Sequence, residues 1–376
     1  MPGDSTHINT RSQKQNTYDA IVVGSGISGG WAAKELCEKG LKVLLLDRGR
    51  NVVHGDYPTA TKNPWEFEHR LTLSKEDKER SFVQARHYSY REDNKHFYIN
   101  DGENPYEEVN RFDWIRGDIV GGRSLLWARA CYRWSDLDFE ANAKDGHGVD
   151  WPIRYKDIAP WYDYVEGFIG VSGNRDGVAV VPDGKFQPPF EMNCVEKAFK
   201  ERVEKGFSDR KVIMGRTANL TQPVKGRGLC QARDLCHRGC PYGAYFSTNA
   251  STIPAAYATG NLTVRPHALV HQVLYDKAKG KATGVEIIDT ETKQTETVYA
   301  KLIFLNASTV ATTAILLNSV SDRFPNGLGN GSDQVGRNLM DHFKGLNISA
   351  DVGSALSCSR NSGGSRAIDR KPRFPG

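Results

Sequence analysis

The chain has 376 residues, of which 39% are hydrophobic and 25% are charged. This composition is typical of folded soluble domains and excludes the collagen-like and intrinsically disordered classes. The 50 basic residues exceed the 45 acidic residues by only five, and the excess is scattered along the chain, which argues against nucleic acid as a partner. At about 150 residues per domain, the length predicts two or three domains.

No stretch approaches the roughly 18 to 20 consecutive apolar residues of a membrane-spanning helix. The first 17 residues are polar throughout and predict a flexible tail rather than a secretory signal. We therefore expect a protein without a membrane span that stays in the cytoplasm.

The first structured stretch is predicted to form a strand, a helix and a second strand. Tyr18–Val23 is an apolar, β-branched run, Ile27–Lys39 has helical character, and Leu41–Asp47 is a second buried strand. From residue 51 to 116 this periodicity is lost among polar and aromatic residues. A connection of that length predicts a lid or a cofactor cover.

The turn between the first strand and the helix carries the pattern G-x-G-x-x-G at Gly24, Gly26 and Gly29. Gly24 permits a tight turn, Gly26 lets the backbone approach a pyrophosphate, and Gly29 allows the helix to pack closely on the strand. The helix N-terminus offers free N–H groups to the anion. Asp47 closes the second strand, where a carboxylate can hold the hydroxyls of an adenosine ribose, and the adjacent Arg48 is a further candidate. This order of elements predicts a dinucleotide site that suits either FAD or NAD.

Farther along the chain, helices are predicted over Tyr155–Phe168 and Cys194–Lys205. Three alternating segments between residues 261 and 308 predict a succession of antiparallel strands, each with one face in solvent. A short helix follows, beginning beside a cap at Ser308 or Thr309.

Three of the seven cysteines, Cys230, Cys236 and Cys240, are crowded together with the spacing C-x5-C-x3-C. This cluster predicts a structural loop of free thiols or one disulfide, with ligation of zinc or an iron–sulfur cluster as the second interpretation. His237 could supply a further ligand, but no fourth cysteine is near in the sequence, so we assign no metal site. The dispersed cysteines are predicted to be buried thiols, namely Cys37, Cys131, Cys194 and Cys358.

Three further blocks accompany the glycine pattern in a fixed order. They are GDIVGGRSLLWARACYRW (Gly117–Trp134), LIFLNASTVATTAILLNS (Leu302–Ser319) and VGRNLMDH (Val335–His342). Together the blocks resemble the glucose–methanol–choline (GMC) oxidoreductases, and among them the bacterial flavoproteins that act on sugars and sugar acids. The resemblance implies an α/β fold, in which a Rossmann-like FAD-binding domain with a parallel sheet accompanies a smaller α+β substrate domain, here incomplete.

The resemblance also assigns cofactor residues. Gly121, Gly122 and Ser124 match the segment that passes the pyrophosphate and the flavin, and Val270 matches a position whose backbone contacts adenine. Asp341 and His342 match a pair that lies near the flavin. Many relatives attach the flavin through a histidine in the glycine-pair block, which this chain lacks, so we expect noncovalent FAD.

Two positions in these blocks are open to more than one interpretation. Trp127 could pack near the flavin ring or serve as an ordinary core tryptophan. The run Asn306–Ala307–Ser308 carries an asparagine where the family has small residues, which leaves its relation to the cofactor open.

The family oxidises a CH–OH group, in that a base removes the hydroxyl proton while the carbon passes hydride to the flavin. In relatives the base is a histidine near the C-terminus of a longer chain, and no block here matches it, so the catalytic residues stay unassigned. His267 and His271 lie on a predicted cofactor-domain strand. We expect an FAD-dependent dehydrogenase for a sugar, polyol or related alcohol, with an unidentified electron acceptor and without its C-terminal part. The alternatives are an oxidase of the same family and a non-catalytic flavin-binding protein that acts through a partner.

The resemblance divides the chain into five parts. We expect a tail at 1–17, the first part of the FAD-binding domain at 18–135, a cap region with the cysteine cluster at 136–258, the second part of the FAD-binding domain at 259–350 and the continuation of the substrate domain at 351–376.

Overall fold

The computed structural model describes residues 18–340, so the expected tail and the expected continuation at 351–376 lie outside the described residues. Its helices are α1 (Ile27–Glu38), α2 (Lys75–Arg80), α3 (Asp136–Phe139), α4 (Ala141–Asp145), α5 (Tyr155–Ile169), α6 (Cys194–Gly206), α7 (Thr252–Tyr257) and α8 (Thr309–Asn318). Its strands are β1 (Tyr18–Val23), β2 (Val43–Leu46), β3 (Leu262–Arg265), β4 (Ala268–Asp276), β5 (Lys281–Asp289) and β6 (Thr295–Leu305). Within this range no helix is both long enough and apolar enough to cross a membrane.

The six strands form one sheet in the order β3-β2-β1-β6-β5-β4. β1 is parallel to β2 and to the second half of β6, and β2 is parallel to β3, which confirms the predicted α/β class with a parallel sheet. β4, β5 and the first half of β6 are antiparallel. The prediction that every strand after residue 261 is antiparallel is therefore wrong for β3 and for the second half of β6, because apolar alternation does not encode the direction of a neighbouring strand.

The parallel strands are buried on both faces. Ala20 and Val22 of β1 pack with α1 and α7, whereas Ile21 and Val23 pack with β4, β5 and α8 on the opposite face. A strand covered on both sides must be apolar at successive positions, which explains the continuous run in β1. The carboxyl end of β1 leads directly into the turn that carries Gly24 and Gly26.

Residues 51–116 contain one α-helix, α2, and several single turns of 3-10 helix. The segment is nevertheless packed, because Val52, Tyr57, Phe97 and Tyr98 are buried together in one apolar cluster. The segment is thus a folded layer whose apolar cluster also includes Ile119 and Leu125, and its role as a lid or cover stays a prediction.

Candidate functional site

A cavity of about 570 Å³ opens at the carboxyl ends of β1, β2 and β6. This volume and this position at the edge of a parallel sheet are typical of ligand sites in α/β proteins. Seven of the predicted cofactor residues line the cavity, namely Gly24, Gly26, Asp47, Arg48, Gly122, Ser124 and Val270. Gly29 and Gly121 do not line the cavity, and Asp341 and His342 lie outside the described residues. The binding roles of all these residues stay predictions.

The three glycines of the first turn have different surroundings. Gly24 has φ +92°, and a Cβ there would lie 2.4 Å from the carbonyl oxygen of Asn306. A Cβ on Gly29 would lie 1.7 Å from the carbonyl oxygen of Gly24, so helix and turn touch without room for a side chain. No atom of residues 18–340 lies within 4 Å of the Cβ position of Gly26, which faces open space. Gly26 also caps α1 without a side-chain hydrogen bond, which leaves first-turn N–H groups available to an anion.

Asp47 is held in place by three donors. The Ser25 amide and hydroxyl donate to Oδ2 at 2.9 and 2.5 Å, and the Gly49 amide donates to Oδ1 at 2.9 Å. Burial raises the pKa of Asp47, although these hydrogen bonds act in the opposite direction. A carboxylate has about four acceptor positions, so Asp47 retains capacity for a ligand hydroxyl.

A second helix begins at the same cavity. Asn306, Ala307 and Ser308 connect β6 to α8, and all three line the cavity wall. Ser308 occupies the N-cap position, as predicted, but its side chain makes no capping hydrogen bond. Its backbone is at φ +73° and ψ +166°, a region that favours glycine. The N-termini of α1 and α8 therefore both open on the cavity, and their dipoles favour negative charge there.

Polar side chains bind the cavity segments together, and of these the sequence analysis assigned only Ser124 to the site. Ser25 Oγ accepts from the Gly121 amide at 2.7 Å, and Thr248 Oγ1 donates to the Ser25 carbonyl at 3.1 Å. The side chain of Asn249 leaves no room for a side chain at position 121, since a Cβ on Gly121 would lie 1.9 Å from Asn249 Oδ1. Ser124 completes the network by accepting from the Thr248 amide at 3.1 Å. The small polar residues in the run YFSTNAST (residues 245–252) were the available signal.

Arginines contribute positive charge to the rim of the cavity. Arg48 pairs with Asp118 at 3.1 Å and donates to Asn104 at 2.6 Å, so its guanidinium is already engaged. Arg123 lines the cavity, and no carboxylate of residues 18–340 lies within ion-pair distance of it. Among residues 18–340, Arg123 is therefore a cavity-lining cation without a carboxylate partner, and it is available to a bound anion. His271, on β4, lines the same cavity.

Trp127 belongs to the core beneath the site. Its indole N–H donates to the Phe246 carbonyl at 2.9 Å, and its ring meets the Phe246 ring edge-on at 6.0 Å. It is absent from the residues that line the cavity, which favours the core interpretation.

The three clustered cysteines are free thiols around a separate small cavity of about 30 Å³. Burial raises the pKa of Cys236, so this thiol is neutral near pH 7. Among residues 18–340, no group of three or more His, Cys, Asp or Glu side chains is arranged to hold a metal ion. The other cysteines differ from one another, since Cys37 is a buried free thiol and Cys131 a partly buried one. Cys194 is exposed and disulfide-bonded, so its prediction as a buried thiol is wrong.

His237, the candidate fourth ligand, is bound to a buried carboxylate. Its Nε2 lies 2.8 Å from Oδ2 of Asp93, to which Arg238 Nε also donates at 2.7 Å. Burial by itself raises the pKa of Asp93, but these two partners lower it to about 2. The hydrogen bonds of His237 and Arg238 to Asp93 therefore attach the loop that carries the three clustered cysteines to the layer formed by residues 51–116.

Comparison with known proteins agrees with this architecture. A family model described as GMC oxidoreductase matches residues 18–344. The chain is 30% identical over 342 residues to the fructose dehydrogenase large subunit of Gluconobacter japonicus, which covers 88% of this chain and 59% of that protein. It is 29% identical over 344 residues to 2-methyl-1,2-propanediol dehydrogenase of Mycolicibacterium austroafricanum, covering 89% of this chain and 56% of that protein. The chain thus spans a little over half the length of these relatives.

Among solved structures, the chain matches pyridoxine 4-oxidase from Mesorbium loti with a TM-score of 0.46 and 17% identity over 81% of this chain and 52% of the other. An FAD-dependent oxidoreductase from Chaetomium thermophilum has a TM-score of 0.47 and 20% identity, over 81% of this chain and 47% of the other. Because the family model matches most of its length, the chain belongs to the GMC oxidoreductase family.

Proposed function

We propose that the cavity at the carboxyl edge of the sheet binds FAD without a covalent bond. The observation that carries this proposal is the convergence of two uncapped helix N-termini with Asp47 on one cavity of about 570 Å³. The first-turn backbone N–H groups of α1, which follow Gly26, and the guanidinium of Arg123 suit a pyrophosphate. The remaining acceptor capacity of Asp47 suits ribose hydroxyls. When bound, FAD supplies an acceptor for the hydride of a CH–OH group.

The substrate that we propose is a sugar, polyol or related alcohol. Support comes from the names of the relatives, which include a fructose dehydrogenase, a diol dehydrogenase and the 6'''-hydroxyparomomycin C oxidase of Streptomyces lividus, 25% identical over 86% of this chain and 54% of that protein. All three names refer to molecules that carry hydroxyl groups. We further propose that residues 18–135 and 259–350 form the FAD-binding domain and 136–258 a cap, since strands from both ends share one sheet.

A flavin titration followed by anaerobic reduction tests the proposal. The purified chain should quench the fluorescence of added FAD with one-to-one stoichiometry, and acid precipitation should release the flavin. Bleaching of the bound flavin by fructose or a diol would establish oxidation of an alcohol. Flavin binding without bleaching would favour the non-catalytic alternative, and no binding would exclude the proposal.

Two further measurements address the remaining expectations. Reoxidation of the reduced protein by oxygen or by an artificial acceptor separates an oxidase from a dehydrogenase. Iron and zinc analysis after removal of flavin separates free thiols, which we propose for Cys230, Cys236 and Cys240, from a ligated metal or cluster. The expected cytoplasmic location stays a prediction that cell fractionation would test.

A further inference from the structure

Helix α6 carries an apolar stripe that faces solvent. Val195, Phe199 and Val203 follow one another at intervals of four residues and share one face of the helix, and Phe207 follows at its C-cap. Val195, Phe199 and Phe207 are 40%, 47% and 59% exposed, and no residue of α6 is buried in the part of the chain that the structure describes. In soluble proteins an apolar stripe of this kind is a packing surface.

The contacts that hold α6 are mostly local. Asn193 Oδ1 accepts from the Glu196 amide at 2.9 Å, Glu196 Oε2 accepts from the Asn193 amide at 2.8 Å, and Lys200 pairs with Glu204 at 2.6 Å. Lys200 Nζ also donates to the Val212 carbonyl at 2.8 Å. A helix of 13 residues is marginal in water even with good caps, because most helical stability in proteins comes from packing of an apolar face. We therefore expect a partner for the stripe.

The cysteines indicate which segment supplies this partner. Cys194, the first residue of α6, is disulfide-bonded. Five of the other six cysteines are free thiols, so Cys358 is the one that remains. A stretch of 18 residues separates it from Met340, and such a stretch can span about 60 Å when extended, so Cys358 can reach a distant part of the surface. The residues that precede Cys358 include five large apolar side chains, namely Phe343, Leu346, Ile348, Val352 and Leu356.

We propose that the apolar stripe of α6 is a docking surface for residues 343–358 of this chain, and that Cys358 is the disulfide partner of Cys194. The proposal goes beyond the proposed function and does not depend on FAD. When the bond forms, the two Sγ atoms join, two protons are released, and two electrons pass to a disulfide oxidant that is reduced to two thiols. Such bonds persist in oxidising compartments, so the proposal argues against the expected cytoplasmic location.

Peptide mapping of the full chain tests the pairing. After equilibration with oxidised glutathione and blocking of free thiols, digestion without reductant should yield a peptide that joins Cys194 to Cys358. Cys358→Ser should make Cys194 reactive toward maleimide in the native protein, because this residue is exposed. Cys131→Ser removes a free thiol instead and should leave Cys194 unreactive. A disulfide-linked dimer, or a Cys194 bound only to glutathione, would overturn the pairing.

A glutathione redox titration tests the docking. It measures the effective concentration of the Cys358 thiol at Cys194, which should fall about tenfold or more in Phe199→Asp, because burial of an unpaired charge under the segment is unfavourable. Phe199→Leu keeps an apolar side chain and should retain most of the effective concentration. Phe82→Asp changes a similarly exposed phenylalanine outside the stripe and should leave the value unchanged. Equal values for Phe199→Asp and the unmodified chain would show that the segment does not pack on the stripe.

Discussion

The turn from β1 to α1 and the turn from β6 to α8 are neighbours at one edge of the sheet, yet they are built differently. Both follow parallel strands, both start a helix without a side-chain cap, and both line the cavity. The first turn contains three glycines, and the second contains Asn306, Ala307 and Ser308. The carbonyl oxygen of Asn306 stands where a side chain on Gly24 would be, so the glycine is required by the neighbouring turn as well as by a ligand.

The second turn reaches a positive φ without glycine. Ser308 at φ +73° and ψ +166° carries backbone strain, which costs about 1–3 kcal/mol for a residue with a side chain. Two turns at one cavity thus reach a positive φ in different ways. The first uses a glycine pattern that is visible in the sequence, and the second uses a strained serine that no sequence pattern marks. Four experiments test whether the two turns differ in this way.

The largest effect should come from adding a methyl group within the first turn. Gly29→Ala places a Cβ 1.7 Å from the Gly24 carbonyl oxygen, so the helix must move and the free energy of unfolding should fall by about 3 kcal/mol. Gly26→Ala is the matched control, because no atom of residues 18–340 lies within 4 Å of its Cβ position. It should cost only about 1 kcal/mol, which is the preference of an N-cap for glycine over alanine. Urea denaturation measures both. Equal losses would show that packing does not distinguish the two glycines.

Removing the carboxylate at the end of β2 should have the next largest effect. Asp47→Ala leaves the Ser25 and Gly49 amides without their acceptor, which should lower the free energy of unfolding by about 2 kcal/mol. Asp118→Ala, which breaks a half-exposed pair with Arg48, should cost less than about 1 kcal/mol. Denaturation of the FAD-free proteins provides the comparison, and a larger loss for Asp118→Ala would contradict it.

Replacing the strained serine of the second turn by glycine should stabilise the protein. Ser308→Gly relieves the strain at φ +73° but increases the entropy of the unfolded chain, so the net gain should be about 1 kcal/mol. Ser308→Ala removes the hydroxyl and keeps the strain, and it should leave the free energy of unfolding nearly unchanged. If the two variants behave alike, the backbone of Ser308 is not strained in solution.

The smallest effect should be a dependence on pH carried by Asp47. Burial raises the folded-state pKa of this carboxyl above 3.8, so its contribution to stability in the FAD-free protein is full below the unfolded pKa and is lost as pH rises through the folded pKa. FAD binding should follow the opposite trend, because ribose hydroxyls need the ionised acceptor, and affinity should fall by at most about tenfold per pH unit on acidification.

Titrations and denaturation of the same samples between about pH 4 and 8 test both signs. Asp47→Asn should flatten both profiles, since an amide does not titrate in this range. A pH dependence of FAD binding that persists in Asp47→Asn would assign the titration to another group.

The strand, the glycine turn, the helix and the acidic strand end between residues 18 and 47 were predictable from the sequence. These features are local, because hydrophobic runs, turn residues and their spacing act within one short segment. The two predicted helices at 155–168 and 194–205 were recognisable for the same reason, and each matches a helix of the structure to within one residue at its C-terminal end.

Contacts between distant segments were visible only in the folded chain. The folded chain placed β3 parallel to β2 and brought Ser25, Gly121 and Thr248 together across more than 90 positions of sequence. It also left the side-chain oxygen of Asn306 buried without a hydrogen-bond partner among residues 18–340. It also attached His237 to Asp93 rather than to the cysteines. Periodicity reports which face of an element is buried, but contacts between elements depend on the packing of the whole chain, and no spacing within one segment encodes them.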